Sequence, residues 1–198
     1  MSRTVYSHPD GFTLAFNDDA LTATDDDGKT VSLPIGPLGL VELGNALLAL
    51  AAERGAGYVA MHNSGGADKT DTAFPDGVVA AVRSFFEKAL AAAARAGLGP
   101  QRLCFDPGIG FGKTVEHNLD LLNQLDWIRE RCQAPLLVGT SRKRFIGAVL
   151  DRPTEERLMG TAASVAAAIA RGADIVRVHD VPEMVRVCRM ADAIVRQK

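Results

Sequence analysis

The stretch from residue 103 to residue 114 constrains the fold more than any other part of the chain. It reads L-C-F-D-P-G-I-G-F-G-K-T, with a glycine at every second position from Gly108 to Gly112. Pro107 cannot donate to a ladder of strand hydrogen bonds, and the glycines admit backbone angles that other residues avoid. The pattern predicts a short buried strand that ends in a tight loop. Asp106 is then presented at the carboxyl end of that strand, where ligands bind in parallel α/β proteins.

This stretch has two other interpretations. A plain strand-to-helix turn, with Thr114 as the helix cap, stays open. A phosphate-binding P-loop is excluded, because that motif needs a glycine at the position that Pro107 occupies. The motif alone therefore indicates a pocket that holds a carboxylate near Lys113, and it does not indicate a reaction.

The composition is that of an ordinary globular protein, and it excludes several classes of partner. Of the 198 residues, 47% are hydrophobic and 23% are charged, and no apolar run is long enough to cross a bilayer. The N-terminus carries no apolar signal segment, so a cytoplasmic protein without a membrane partner is expected. The net charge of -2 lacks the basic excess that indicates nucleic-acid binding. The three cysteines form no C-x-x-C pair, which favours buried thiols.

The first part of the chain differs from the rest. Residues 4 to 35 alternate apolar and polar side chains in short runs broken by Asp, Asn and Gly, which predicts an antiparallel β meander over residues 1–37. Phe12, Leu14 and Phe16 would share one face of it. The acidic run at residues 25–27 is interpreted as a solvated hairpin tip, because no downstream carboxylate completes a calcium-loop spacing.

The second part, residues 38–198, is predicted to contain one helix followed by four strand-and-helix units. Strands are expected at residues 58–62, 103–106, 136–140 and 175–179, and helices at residues 40–54, 76–96, 114–131, 154–171 and 183–196. Four such units in succession imply a parallel sheet with right-handed crossovers, and therefore an α/β fold.

Polar side chains collect where those four strands end. The strand ends carry His62, Asp106, the run G-T-S-R-K at residues 139–143, and the run R-V-H-D at residues 177–180. Parallel strands place these ends on one rim, so one carboxylate would face several cations and two imidazoles. Such a set suits a polar heterocycle that carries an anionic group. Taken singly, either histidine is equally compatible with a structural role.

Three motifs resemble one family. The runs F-D-P-G-I-G-F-G-K-T, L-V-G-T-S-R-K-R-F-I-G and V-R-V-H-D-V, with the preceding A-M-H-N, resemble the last four strand ends of dihydropteroate synthase. That family, the target of sulfonamides, consists of folate-biosynthesis transferases with an eight-stranded βα barrel. The resemblance covers about residues 49–198. It implies a partial barrel of four parallel βα units, preceded here by the antiparallel meander.

The resemblance also implies roles for the strand-end residues. Asp106 would accept hydrogen bonds from the pterin ring, and Lys143 would lie between the pterin and 4-aminobenzoate. Arg177 and His179 would hold the pyrophosphate leaving group, so Lys143, Arg177 and His179 are the expected catalytic residues. The remaining substrate-binding residues would pack against the pterin or shape the aminobenzoate pocket: Met61, Phe111, Gly139, Ser141 and Arg142.

The chain also departs from the family pattern. The loops that the family's first half contributes, N-V-T-P-D-S-F and G-G-E-S-T, are not found in residues 1–48. No covalently bound cofactor is expected, and Mg²⁺ would come only with the pyrophosphate substrate, since the family's metal-binding loop is among those not found. The sequence thus leaves two functions open, a synthase whose site is completed and a pterin-binding module without turnover. A pterin-dependent methyltransferase is disfavoured by S-R-K-R-F-I-G.

A set of four parallel strands has two free edges and an apolar inner face, which together favour aggregation unless they are covered. Two arrangements would cover them. The N-terminal meander would cap the sheet, or two chains would associate through the exposed face. The meander is the favoured cover, and a homodimer is left open in either case.

Overall fold

The structure, a computed structural model, describes residues 3–7, 13–17, 20–24, 27, 29–34, 36–64 and 72–196. It divides the chain into two compact units, Met1–Leu50 and Ala51–Lys198. The division lies within helix α1 (Gly36–Arg54), later in the chain than the boundary after residue 37 that the sequence predicts. Phe12 and the side chains of Leu14 and Phe16 lie outside what the structure describes, so their shared face stays a prediction.

The first unit contains a four-stranded antiparallel sheet in the order β1-β2-β3-β4. Its strands are β1 (Arg3–Ser7), β2 (Thr13–Asn17), β3 (Ala20–Thr24) and β4 (Thr30–Pro34). The register pairs Asn17 with Ala20 and Thr24 with Thr30. Each of the four strands contains threonine, a β-branched residue that is favoured in strands.

The second unit is built on four short strands that run parallel and follow one another in chain order. They are β5 (Tyr58–Met61), β6 (Leu103–Asp106), β7 (Leu137–Val138) and β8 (Ile175–Val176). Strand β5 pairs with β6 and β7 with β8, while a parallel bridge between Phe105 and Leu136 links β6 to β7. The predicted α/β fold with parallel strands is therefore confirmed.

Strands β7 and β8 are shorter than the predicted strands at 136–140 and 175–179. The Arg177 amide donates to the Val138 carbonyl at 3.0 Å, and beyond these residues both segments enter loops. The positions that the sequence assigned to strand ends, from Gly139 onward, therefore belong to loops. A loop gives these residues more freedom of direction than a strand, where side chains strictly alternate between the two faces.

Six helices follow the first one in the described part of the chain, and two of the sequence-based predictions require correction. They are α2 (Val78–Arg95), α3 (Val115–Asn123), α4 (Leu125–Glu130), α5 (Arg144–Leu150), α6 (Leu158–Ala170) and α7 (Val181–Val195). The single helix predicted over residues 114–131 is wrong, because Gln124 leaves the helical region with φ -111° and ψ 24°. The predicted helix at 154–171 begins with a 3₁₀ turn, Thr154–Glu156. Helix α5 was not predicted, because seven residues show too little periodicity.

The helices pack on one face of the parallel strands. Ala60, Phe105 and Leu136 are buried on this face, and the Phe105 ring stacks on Phe86 of α2 with centroids 4.5 Å apart. On the opposite face Val59 remains 49% exposed and Ile175 remains 44% exposed. None of the helices in the described ranges combines the length and apolar character that a bilayer crossing requires.

Helices α5 and α6 approach each other closely at a glycine. A Cβ added at Gly160 would lie 2.3 Å from Cγ2 of Ile146, far inside van der Waals contact. In helix α1, by contrast, a Cβ added at Gly44 would meet no atom within 4 Å. The two helical glycines therefore provide a matched pair for testing the packing.

We expect Gly160→Ala to lower the free energy of unfolding by about 1 to 3 kcal/mol, because the added methyl group overpacks the α5–α6 contact. Gly44→Ala should leave it unchanged or raise it by about 0.5 to 1 kcal/mol, because alanine favours the helix. Urea denaturation followed by circular dichroism measures both. An equal gain from the two substitutions would contradict the observed packing of α5 on α6.

Candidate functional site

A row of four residues crosses the carboxyl ends of the four parallel strands. Met61 and Asp106 are register partners at the ends of β5 and β6. Gly139 and Arg177 follow β7 and β8, and a Cβ added at Gly139 would lie 3.2 Å from Nη2 of Arg177. The structure thus brings these four sequence-predicted site residues together on the rim.

Asp106 is the buried carboxylate at the centre of this row. Its side chain is 1% exposed. Oδ1 accepts a hydrogen bond from the Gly108 amide at 2.8 Å, and Oδ2 forms an ion pair with Nη2 of Arg177 at 3.1 Å. The Arg177 side chain is 54% exposed, so this ion pair lies at the edge of solvent. One oxygen is thus committed to the chain's own loop, and the other accepts from a solvent-accessible cation that a ligand can displace.

The glycine loop, residues 107–112, adopts the backbone that its sequence predicts. Gly108, Gly110 and Gly112 all have positive φ angles, of 69°, 82° and 65°. A Cβ at Gly108 would lie 1.8 Å from the carbonyl oxygen of His62, so the backbones after β5 and β6 are in direct contact. Only glycine can occupy that position without displacing one of the two strand ends.

Lys113 lies in this site, although it is not among the catalytic and substrate-binding residues predicted from the sequence. The side chain is buried, and Nζ donates to the carbonyls of His62 at 3.4 Å, Gly108 at 2.9 Å and Phe111 at 3.1 Å. Burial lowers the pKa of Lys113 to about 8, an effect that Asp106 opposes and Lys143 reinforces. The signal in the sequence was the G-F-G-K ending of the loop, which places a lysine one residue beyond the last glycine.

Thr114, next in the chain, caps helix α3. Its Oγ1 accepts from the His117 amide at 3.2 Å, and Nδ1 of His117 accepts from the Thr114 amide at 3.3 Å. The helix cap of the plain strand-to-helix turn is therefore present. It coexists with the carboxylate and the cations of the rim, so the cap and the pocket are not alternatives.

Lys143 reaches the glycine loop from the loop after β7. Its Nζ donates to the Ile109 carbonyl and lies 4.6 Å from the centroid of the Phe111 ring. Burial lowers the pKa of Lys143 to about 8, an effect that Asp106 opposes and Arg177 reinforces. A cavity of about 140 Å³ adjoins both side chains, and its lining also includes Gly110, Lys113, Asn118 and Phe145.

Ser141 and His179 form a second contact on the rim. The Ser141 Oγ accepts from the His179 backbone amide at 3.1 Å and lies 2.9 Å from Nδ1 of the same residue. The hydroxyl proton can be donated to Nδ1. In that tautomer Nε2 carries the ring proton and can donate it to an anion.

Arg142 lies beside these residues, but its guanidinium is engaged elsewhere. Nε donates to Oδ2 of Asp180 at 2.8 Å, and Nη2 pairs with Oδ1 of the same carboxylate. The pairing raises the pKa of Arg142 and lowers that of Asp180. The Arg142 amide also donates to Oγ1 of Thr161 at 3.0 Å, and its carbonyl accepts from Arg157 at 3.0 Å. These contacts anchor the loop after β7, and a direct role in an aminobenzoate pocket stays a prediction.

His62 fits the structural alternative. Its ring is buried at centroid distances of 6.1 Å from Phe74 and 5.4 Å from Phe85. Burial, reinforced by the charge of Lys113, lowers the pKa of His62 to about 4. Its backbone carbonyl, rather than its ring, participates in the site through Lys113.

The rim is electropositive as a whole, because one carboxylate faces Lys113, Lys143 and Arg177. Such an excess of cations attracts an anionic ligand group. Within the described ranges, the structure contains no group of three or more His, Cys, Asp or Glu side chains able to hold a metal ion. Asp106 already accepts from Gly108 and Arg177, so these residues do not provide the set of oxygen ligands that Mg²⁺ requires.

Comparison with known proteins gives consistent matches to one family. The family model described as pterin binding enzyme matches residues 41–179. The dihydropteroate synthase of Synechocystis sp. is 45% identical over 152 residues, which cover 76% of this chain and 52% of that protein. The Bacillus subtilis dihydropteroate synthase is 41% identical over 151 residues, covering 76% of this chain and 50% of that protein. The chain thus spans about half the length of these curated relatives.

Solved structures give the same result. The Clostridium difficile dihydropteroate synthase, crystallised in the presence of pteroic acid, superposes with a TM-score of 0.70 and 36% identity, covering 76% of this chain and 55% of that one. The Xanthomonas albilineans dihydropteroate synthase with 4-aminobenzoic acid superposes with a TM-score of 0.68 and 38% identity, covering 74% of this chain and 52% of that one. These neighbours indicate a fold of the βα-barrel type.

The buried His62 predicts acid sensitivity. Its pKa is lowered from 6.5 to about 4 in the folded protein, so the unfolded chain binds the proton first as the pH falls. The free energy of unfolding should therefore decrease between pH 6.5 and about 4, by up to roughly 3 kcal/mol from this residue. Urea denaturation at several pH values, compared between the wild type and His62→Gln, isolates the contribution. Identical pH profiles would contradict a buried, neutral His62.

Proposed function

The chain belongs to the family of pterin-binding enzymes, and we propose that its rim binds a pterin and takes part in dihydropteroate synthesis. The single observation that supports this best is the state of Asp106. It is buried, its Oδ1 is fixed by the Gly108 amide, and its Oδ2 faces an exposed guanidinium. A carboxylate held in this way is a preformed acceptor for adjacent N–H groups of a planar heterocycle.

The pterin would displace Arg177 from Oδ2 of Asp106, or share that oxygen with it. Because the carboxylate is ionised and buried, its hydrogen bonds to ring N–H groups are charge-assisted, and they are stronger than bonds between neutral groups. Met61, the register partner of Asp106, lies on the same rim and can pack against the ring. Release of Arg177 would turn its guanidinium toward the anionic part of the ligand.

The 4-aminobenzoate would lie beside Lys143 and Phe111. The ammonium group of Lys143 lies near the Phe111 ring and the cavity that both residues line. An aromatic acid can stack on the ring and pair with the cation there. Ser141 and the loop that Arg142 anchors would bound this pocket on the side of β7. The X. albilineans relative was crystallised with 4-aminobenzoic acid, which supports this assignment.

In the proposed reaction the aromatic amine attacks the methylene carbon of the pterin, and the bond from that carbon to the pyrophosphate oxygen breaks. The electron pair leaves with the pyrophosphate, and the amine then loses a proton. The chain's part is to align the two reactants and to stabilise the departing anion, so no covalent nucleophile is required. Arg177 and Nε2 of His179 are the donors suited to the anion. Mg²⁺ would arrive with the pyrophosphate substrate.

A pterin-binding module without turnover is the second candidate. The observation that favours it is in residues 1–48, where the loops of the family's first half are not found. In this proposal the four parallel strands form a partial barrel that follows an antiparallel meander in the sequence, and a homodimer would supply a second set of strand ends. Pterin binding without product from pterin pyrophosphate and 4-aminobenzoate would select the module.

We expect Asp106→Asn to lower the affinity for unsubstituted pterin by about 30- to 150-fold, a loss of about 2 to 3 kcal/mol. The amide replaces one acceptor oxygen by a donor and removes the charge assistance. The fold should be retained because the remaining oxygen still accepts from Gly108, but the thermal midpoint should fall because Lys113, Lys143 and Arg177 lose the nearby negative charge. Isothermal titration calorimetry measures the affinity, with Asp120→Asn, at an exposed position of helix α3, as the control. Unchanged pterin affinity in Asp106→Asn would remove the basis of the proposed function.

Arg177→Ala should weaken the binding of inorganic pyrophosphate at least tenfold, because a guanidinium pairs two donors with phosphate oxygens. Binding of unsubstituted pterin should be retained or strengthened, since the substitution frees Oδ2 of Asp106. The ion pair with Asp106 places Arg177 beside the acceptor that we propose for the pterin. Parallel titrations of both ligands against Arg177→Ala and the exposed Arg186→Ala give the answer. Equal losses for the two ligands would assign Arg177 a different role.

A further inference from the structure

Lys113 has the contacts of a clamp rather than those of a ligand-binding lysine. Its side chain is 2% exposed, and Nζ donates to the carbonyls of His62, Gly108 and Phe111 at 2.9 to 3.4 Å. An ammonium group has three N–H donors, and these three carbonyls engage all of them. Lys113 therefore has no N–H donor left for a ligand, and its ammonium group is held in place by the three carbonyls.

The three carbonyls belong to two different segments of the chain. His62 follows strand β5, whereas Gly108 and Phe111 belong to the glycine loop that follows β6. A second contact joins the same segments, because Oγ of Ser64 lies 3.1 Å from the carbonyls of both Phe111 and Gly112, which share its single hydroxyl proton. The glycine loop is thus held against the end of β5 by one buried cation and one hydroxyl.

The position of this loop determines the geometry of the rim. The Gly108 amide fixes Oδ1 of Asp106 at 2.8 Å, and the Ile109 carbonyl accepts from Nζ of Lys143. The Gly110 amide is fixed in turn by Oδ1 of Asn118 at 2.7 Å. A shift of the loop away from β5 would therefore move the carboxylate and the neighbouring lysine together.

Burying the ammonium group of Lys113 costs desolvation free energy. That cost is offset only by strong hydrogen bonds and by nearby negative charge. Here the carbonyl dipoles provide the first, and Asp106 provides the second. A methionine of similar length would fill the same space, but it would leave three carbonyls without a donor and would remove the charge near Asp106.

We propose that Lys113 is a positioning residue, which holds the glycine loop against the end of β5 and thereby fixes Asp106 and Lys143 for the ligand. The part that concerns the loop rests on the contacts alone. The part that concerns the ligand rests on the proposed pterin-binding function. The two parts are tested separately, so that a failure of one can be told from a failure of the other.

The first experiment needs no ligand. Hydrogen exchange of backbone amides is followed by NMR in the full-length wild type and in Lys113→Met. The amides of Gly108 and Gly110 should exchange at least tenfold faster in the variant, while the amide of Val82 in helix α2 changes much less. Equal acceleration at all three amides would mean that the substitution only destabilises the second unit. An unchanged rate at the loop amides would overturn the proposal.

The second experiment measures the affinity for unsubstituted pterin by calorimetry. Lys113→Met should bind it at least tenfold more weakly than the wild type, whereas the exposed Lys88→Met should bind it equally well. Val82→Ala serves as a second control, because it destabilises the buried face of α2 without touching the loop. A loss of affinity as large in Val82→Ala as in Lys113→Met would overturn the positioning role. Faster exchange of the loop amides in Lys113→Met with unchanged pterin affinity would also overturn the positioning role.

The pH dependence separates the charge of Lys113 from its packing. The pKa of Lys113 is about 8, and the charged groups around it are Asp106 and Lys143, with His62 neutral at this pH. In the wild type, pterin affinity should decrease as the pH rises through 8, and in Lys113→Met the decrease should be smaller. We expect the remaining decrease in pterin affinity to come from Lys143, and a Lys113→Met, Lys143→Met double variant tests this. A decrease of the same size in Lys113→Met and the wild type would assign Lys113 to packing alone.

If Lys113→Met fails to fold, Ser64→Ala keeps the proposal testable. It removes the second contact between the same segments without disturbing a buried charge, so it should speed exchange at Gly108 and Gly110 about threefold, with Ser84→Ala in α2 as the control. Unchanged exchange rates at Gly108 and Gly110 in Ser64→Ala would overturn the proposal that contacts with the end of β5 hold the glycine loop. If the wild type itself binds no pterin, the proposed function fails, while the exchange result still decides whether Lys113 holds the loop.

Discussion

The contact between the glycine loop and the end of strand β5 is the constraint on which the site depends. The backbone at Gly108 approaches the His62 carbonyl so closely that any Cβ would collide with it. The same two segments are joined by Lys113 and by Ser64. Because the Gly108 amide also binds Asp106, one short segment aligns the carboxylate with the neighbouring strand end. The rim therefore has little freedom to rearrange between β5 and β6.

The electrostatic balance of the rim follows from that geometry. Burial disfavours the charged forms of Lys113 and Lys143 and lowers the pKa of each to about 8, while Asp106 opposes the shift in both. The carboxylate thus helps to keep two lysines charged near neutral pH. Arg177 completes the set from the solvent side. Because Asp106 opposes the shift in both lysines, its substitution by a neutral residue is expected to lower the pKa of Lys113 and Lys143 further.

The sequence predicted those parts of the fold that are encoded locally. The strand at residues 103–106, the positive φ angles of the glycine loop and the parallel order of the strands follow from residue type and spacing. The break at Gln124 and the short helix α5 depend on packing, and seven residues show no periodicity. For the site, the strand-end rule located Asp106 and Arg177 but could not show that they pair, because β6 and β8 are far apart in sequence. Nor could it show that Arg142 would engage Asp180, or that Lys113 would be buried.

The face that carries the site is also the face with the most exposed apolar strand residues. Val59 and Ile175, in the two outer parallel strands, are each almost half exposed there. Water near these positions screens the Arg177–Asp106 ion pair, whose arginine is 54% exposed, and so weakens its attraction. A layer that covers this face would bury the apolar side chains, and by excluding water it would also strengthen the attraction between Arg177 and Asp106. Such a layer would therefore couple stability and ligand affinity in the second unit.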